Sequence, residues 1–367
     1  MNTAPLFQPF HSDKLKLDNR VVMAPMTRGF SPGNVPGDDV AQYYRRRAAG
    51  GVGLIVTEGT GIDHPASISG ATIPVFHGEE ALAGWKKVVD AVHAEGGKIA
   101  PQLWHVGMAR KVGDEPNVDA QPVGPSGLDL KGEKIGEPLT ESEIADLIQA
   151  YAQAASDAKK LGFDAIELHG AHGYLIDQFL WERTNQRTDR YGGDLAGRAT
   201  FAVEVVRACR AAVGEDYPII FRYSQWKMYD YEARLAQTPE ELEQLLGLLV
   251  DAGVDIFHAS TRRFWEPEFE GSELNLAGWT QKLTGKPTIS VGSVGLQAEF
   301  TPGARQTEET DPTAHLEELI HKLEQNEFDL IAVGRALLSD PEWPNKVRDQ
   351  RSDDIQMFSR EALQTLV

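Results

Sequence analysis

Along the chain, short apolar runs rich in β-branched residues alternate with longer stretches whose apolar positions recur at helical spacing, the pattern of parallel βα units. Eight such runs follow one another at residues 21–24, 54–57, 99–103, 165–169, 219–222, 256–259, 288–291 and 330–333. Between them the spacing predicts helices such as 79–94, 141–161, 196–212, 239–252 and 313–325. Two of these begin at Thr140 or Thr238 as N-cap, with Glu143 or Glu241 placed to complete a capping box.

Eight βα repeats in 367 residues fit a closed (β/α)8 TIM barrel, one domain over 1–367, better than an open doubly wound sheet. The open sheet uses fewer strands and a Gly-rich first turn, and no GxGxxG follows an early run. Barrels of this kind place their chemistry at the carboxyl ends of the strands. Connections 106–138, 223–237 and 262–279 all follow a strand and exceed the usual ~2–6 residues, so they are expected over that face as a lid or substrate wall. Segment 299–312, acidic and Thr-rich, is expected to be an exposed excursion.

Composition narrows the class. With 41% apolar and 25% charged residues the chain is globular, and its net charge of −19 repels nucleic acid and anionic membrane surfaces. An anionic cofactor therefore needs a local positive pocket. The single cysteine, Cys209, excludes an intramolecular disulfide, a cysteine-ligated iron–sulfur cluster and a multi-cysteine zinc site. The amino terminus lacks a secretory pattern and no apolar run nears the ~18 residues of a membrane span, which predicts a soluble, cytoplasmic protein.

The densest polar cluster, Glu167 to Tyr174, leaves the fourth run. His169 and His172 sit in a Gly-loosened turn that can aim both rings at one point above the barrel mouth. Such a pair can be a set of hydrogen-bonding loop residues or half of a metal site, with Glu167 as a third ligand or as an acceptor behind the histidines, and the spacing alone does not decide. A metal-dependent barrel lyase or hydrolase is thus a competing reading.

The segment HGAHGYLIDQFL, followed by TNQRTDRYGGDLAGR, resembles the signature of the Old Yellow Enzyme family of FMN-containing reductases. The resemblance continues in order through MAPMTR at 23–28, PQLWH at 101–105, FRYS at 221–224, SVGSVG at 290–295 and AVGRALLSDPEWP at 332–344. It implies a bound FMN, NAD(P)H as co-substrate, and reduction of the C=C bond of a small activated alkene by a ping-pong mechanism. It also implies that Gly292, Ser293, Gly334 and Arg335 hold the flavin phosphate, with Arg335 supplying charge. Arg222 and Gln102 would meet the pyrimidine edge of the ring, Thr27 its O4, and Pro25, Met26 and Gly59 would touch it through backbone.

By the same resemblance His169 and His172 donate to a substrate carbonyl oxygen and Tyr174 gives the proton, with Trp104 and Trp226 in the substrate pocket. For the glycines the alternative is plain turn geometry, for Arg222 an inward ion pair, and for Trp226, Tyr229 and Tyr231 mere lid packing. His172 stands where some members have Asn, and Thr27 where one subgroup has Cys. A flavin-binding protein without turnover is a further reading, and a homo-oligomer is left open.

Overall fold

In the computed structural model, which describes residues 1–297 and 311–367, eight parallel strands close into a barrel in chain order. They are β1 (Val21–Met23), β2 (Leu54–Gly61), β3 (Lys98–Trp104), β4 (Ile166–His172), β5 (Ile219–Lys227), β6 (Ile256–Ser260), β7 (Thr288–Val291) and β8 (Leu330–Val333), and β8 pairs back onto β1. Around them lie α1 (Asp38–Ala49), α2 (Glu79–His93), α3 (Glu141–Leu161), α4 (Leu175–Leu180), α5 (Leu195–Val213), α6 (Pro239–Ala252), α7 (Leu276–Thr284), α8 (Leu316–Glu324), α9 (Ala336–Ser339) and α10 (Trp343–Arg348). The fold is the expected (β/α)8 barrel. Among the described residues no helix is long and apolar enough to cross a membrane.

Side chains alternate across each strand, and that parity sorts the barrel into rows. Val22, Leu54, Ala100, Ala165, Ile220, Ile256, Ile289 and Leu330 point inward and form one buried cluster. Neighbours of opposite phase, such as Val21, Ile55, Ile99, Ile166, Ile219 and Ile331, join the larger core between barrel and helices. A two-stranded hairpin, Phe10–His11 against Lys16–Leu17, sends Phe10, Leu15 and Leu17 into the inner cluster and stoppers the amino end. Lys14 pins it to Asp255, which immediately precedes β6, at 2.7 Å. One inward step above the apolar row come Gln102, Glu167, Arg222 and His258, and one further step brings Trp104, His169 and Ser260 to the mouth.

Departures from expectation have local causes. Strands β2 and β5 run past 57 and 222 because their continuations remain paired to neighbouring strands, so connection 223–237 begins as strand. Connection 262–279 ends inside α7, and the helix expected over 313–325 starts at Leu316. Thr140 makes a complete capping box with Glu143. Thr238 accepts from the Glu241 N–H, but the Glu241 carboxylate turns to the Gln237 N–H at 2.6 Å, so only half of that box forms. Apart from Asp311 and Pro312, the excursion expected at 299–312 lies outside the described residues.

Candidate active site

The polar row is the floor of the site. Glu167 accepts from the Gln102 side-chain amide at 2.8 Å with one carboxylate oxygen and meets His258 Nδ1 at 2.7 Å with the other. Burial pushes this carboxyl up, but His258, Arg222 and Gln102 together outweigh it and hold it below the usual range. Glu167 is therefore the acceptor of the two roles open to it, not a metal ligand. No group of three His, Cys, Asp or Glu among the described residues is arranged to hold a metal ion.

His169 and His172 belong to β4 itself rather than to a turn beyond it. On a regular strand residues three apart face opposite sides, which would send one ring away from the mouth. A register shift against β5 between Gly170 and His172, with His172 at φ 65°, turns the second ring back inward. The Ser224 hydroxyl secures this bend by accepting from the His172 N–H at 3.0 Å. The two rings end 5.2 Å apart at right angles. Tyr174, the N-cap of α4, sets its ring 5.0 Å from His169 and 4.9 Å from Trp104, while Trp226 stacks on His172 at 4.3 Å.

Burial first, and the Arg222 charge next, hold both histidines well below the usual imidazole range, so both are neutral at pH 7. His169 Nδ1 accepts from the Ala171 N–H at 3.3 Å, which leaves its proton on Nε2. Burial also pushes the Tyr174 hydroxyl up to about 12, which keeps it protonated.

A cavity of about 630 Å³ opens at the carboxyl face. Its lining includes every residue expected at the flavin or the substrate: Pro25, Met26, Thr27, Gly59, Gln102, Trp104, His169, His172, Tyr174, Arg222, Trp226, Gly292, Ser293, Gly334 and Arg335. Connections 223–237 and 262–279 contribute Met228, Tyr229, Tyr231 and Arg262 to this lining. The 106–138 connection contributes no lining residue, against expectation. It packs instead on the segment behind the histidines, where Gln178 accepts from the Met108 N–H at 3.0 Å and Leu130 crowds Gly173.

Ser260, Arg262 and Leu363 also line the cavity and were not read from the sequence. Ser260 carries a faint signal, since it follows His258 by two and shares its inward phase. Leu363 carries none, because it arrives from the far end of the chain. Three arginines, Arg222, Arg262 and Arg335, face the cavity, and no carboxylate among the described residues does. This is the local positive pocket that a chain of net charge −19 needs for an anionic cofactor.

Residues 5–354 match the sequence profile of the NADH:flavin oxidoreductase / NADH oxidase family. The chain belongs to this family, the Old Yellow Enzyme group. It is 37% identical over 362 residues to the NADH oxidase of Thermoanaerobacter brockii, covering 95% of this chain and 52% of that protein. With 12-oxophytodienoate reductase 7 of Oryza sativa subsp. japonica it shares 44% identity over 226 residues, 58% of this chain and 57% of that one. The solved structure of morphinone reductase in complex with tetrahydroNAD superposes with a TM-score of 0.81 at 30% identity, covering 98% of this chain and 93% of that one. The chain thus spans about half the length of the curated relatives it matches.

As a member of the NADH:flavin oxidoreductase family the chain has FMN for its cofactor. The residues fit a flavin. Arg222 is 7% exposed, and its Nε has no hydrogen-bond partner among the described residues, a donor waiting for an acceptor. A Cβ at Gly334 would stand 3.5 Å from the Met26 sulfur, filling space between two lining residues. Gly292 differs: at φ 146° its Cβ would meet the Arg262–Phe264 backbone at 2.9 Å, so the turn itself requires glycine there.

Proposed function

We propose that this chain uses FMN and NAD(P)H to reduce the C=C bond of α,β-unsaturated carbonyl compounds, both partners taking turns at one site. The observation that carries the reading is the pair of neutral imidazoles 5.2 Å apart with protonated Tyr174 beside them, all facing a cavity with three arginines and no lining carboxylate among the described residues. When bound, FMN supplies two-electron hydride chemistry.

Arg222, Gln102 and Thr27 would hold the polar edge of its ring, and Gly292, Ser293, Gly334 and Arg335 its phosphate. His169, through Nε2–H, and His172 donate to the carbonyl oxygen, which draws density from the β-carbon and stabilises enolate charge as it develops. Tyr174 gives its hydroxyl proton to the α-carbon. Trp104 and Trp226 wall the pocket and exclude water.

Purified protein loaded with FMN should bleach anaerobically with NADH or NADPH and recolour on adding cyclohexenone. A preparation that bleaches but never recolours would overturn the alkene reading, and one that takes up no FMN would overturn all of it. His169→Ala with His172→Ala should keep the flavin and lose both enone reduction and binding of phenol-type ligands.

A further inference from the structure

We infer that Ser260 is a positioning residue that sets the tautomer of His172, making Nδ1–H the donor that this ring presents to the substrate. Ser260, on the row that brings His169 to the mouth, is 2% exposed, and its hydroxyl lies between two nitrogens. Arg222 Nη2 donates to it at 3.3 Å, and His172 Nε2 lies 2.8 Å away. A guanidinium has donors only, so the serine oxygen accepts from Arg222. Its own single proton is then directed to His172 Nε2. A neutral imidazole that accepts on Nε2 carries its proton on Nδ1.

The opposite tautomer would have the serine oxygen accept twice and strand its proton, and it would turn a bare lone pair of Nδ1 toward the substrate oxygen. Two further contacts hold the ring in this pose. The Ser224 hydroxyl accepts from its backbone N–H at 3.0 Å, and Trp226, stacked on its face, donates through Nε1 to the Ser260 carbonyl at 3.1 Å. Ser260 thus joins the guanidinium expected at the flavin edge to the imidazole expected at the substrate. That Nδ1–H meets a carbonyl oxygen rests on the proposed function, whereas the tautomer does not.

Flavin-loaded protein labelled with nitrogen-15 histidine tests this directly. A two-bond proton–nitrogen correlation spectrum distinguishes the tautomers, and the stacked Trp226 ring assigns the His172 signals. The wild type should show Nδ1–H, Ser260→Ala should show a mixture or Nε2–H, and Ser260→Thr should restore Nδ1–H. The dissociation constant of 4-hydroxybenzaldehyde should rise about tenfold in Ser260→Ala, the scale of one hydrogen bond, and recover in Ser260→Thr.

A wild-type His172 in the Nε2–H form overturns the assignment without any variant, as does a Ser260→Ala spectrum unchanged from wild type. If the tautomer is as stated but enones are not reduced, only the functional reading fails.

Discussion

Lys227 and Asp177 meet at 2.9 Å with neither side chain exposed, joining the end of β5 to the first turn of α4. Asp177 also accepts from the Gly173 N–H at 2.7 Å, and Lys227 donates to the Ser224 carbonyl at 2.9 Å. The pair thereby clamps both ends of the segment that carries His172 and Tyr174. Burial pushes both groups toward neutrality, and each partner's charge opposes it.

Removing one partner strands the other. Asp177→Leu or Lys227→Met should each cost about 3–5 kcal/mol in urea unfolding, with the Asp177→Leu/Lys227→Met double variant losing less than the two singles combined. Additive losses would show that the two groups do not act as a pair.

Glu58 gives the protein an uneven pH response. Its carboxylate accepts from the Arg28 and Gly29 N–H groups at 2.8 and 2.9 Å, holding the loop that presents Thr27. Burial outweighs those bonds and raises the carboxyl from 4.5 to about 7. An acid with a raised native value binds its proton more tightly folded than unfolded, so its contribution is full below 4.5 and is lost as pH climbs through about 7. Wild type should lose roughly 3 kcal/mol across that window relative to Glu58→Gln. Melting curves at pH 5 and pH 8 check this, and parallel shifts of the two proteins would refute it.

Gly59 leaves room for Trp104. A Cβ there would stand 2.6 Å from the Trp104 ring and 3.3 Å from the Gln102 side-chain oxygen, so Gly59→Ala must push one lining group aside. We expect weaker FMN retention on gel filtration and weaker enone binding, with the melting temperature of the barrel little changed.

Arg222→Met should lower the midpoint potential of bound flavin, because the reduced ring loses the cation that stabilises its charge. Potentiometric titration against dyes reads the shift. An unchanged potential would place Arg222 as a structural cation beside Glu167 and His258.

Enone reduction should stay flat as pH falls through 6.5, the ordinary imidazole value, since burial and Arg222 hold His169 and His172 well below it. Stopped-flow rates of the oxidative half-reaction test this. A midpoint at 6.5 would mean that one of the rings is not held neutral.

The barrel was legible because apolar strands of period two recur between helical stretches, and the starts of the eight runs are set by those apolar residues. The ends of β2, β4 and β5 were not. Glu58 and Gly59 in β2, and Ser224 in β5, look like loop residues but continue a strand. The 106–138 connection has the length of a lid, yet its partners on α4 are chosen by tertiary packing that no spacing reveals. His169 and His172 were found by their company, while the register shift that aligns them came only with the structure. Lys227 and Asp177 lie 50 residues apart in ordinary-looking segments, so their pairing had no local signal.

The stoppered amino end has a kinetic meaning. With Phe10, Leu15 and Leu17 wedged beneath filled rows, nothing passes through the barrel, and whatever the mouth admits must back out the same way. Occupants therefore form a queue. On the proposed one-site reading, a slow-departing product or spent nicotinamide would block the next arrival.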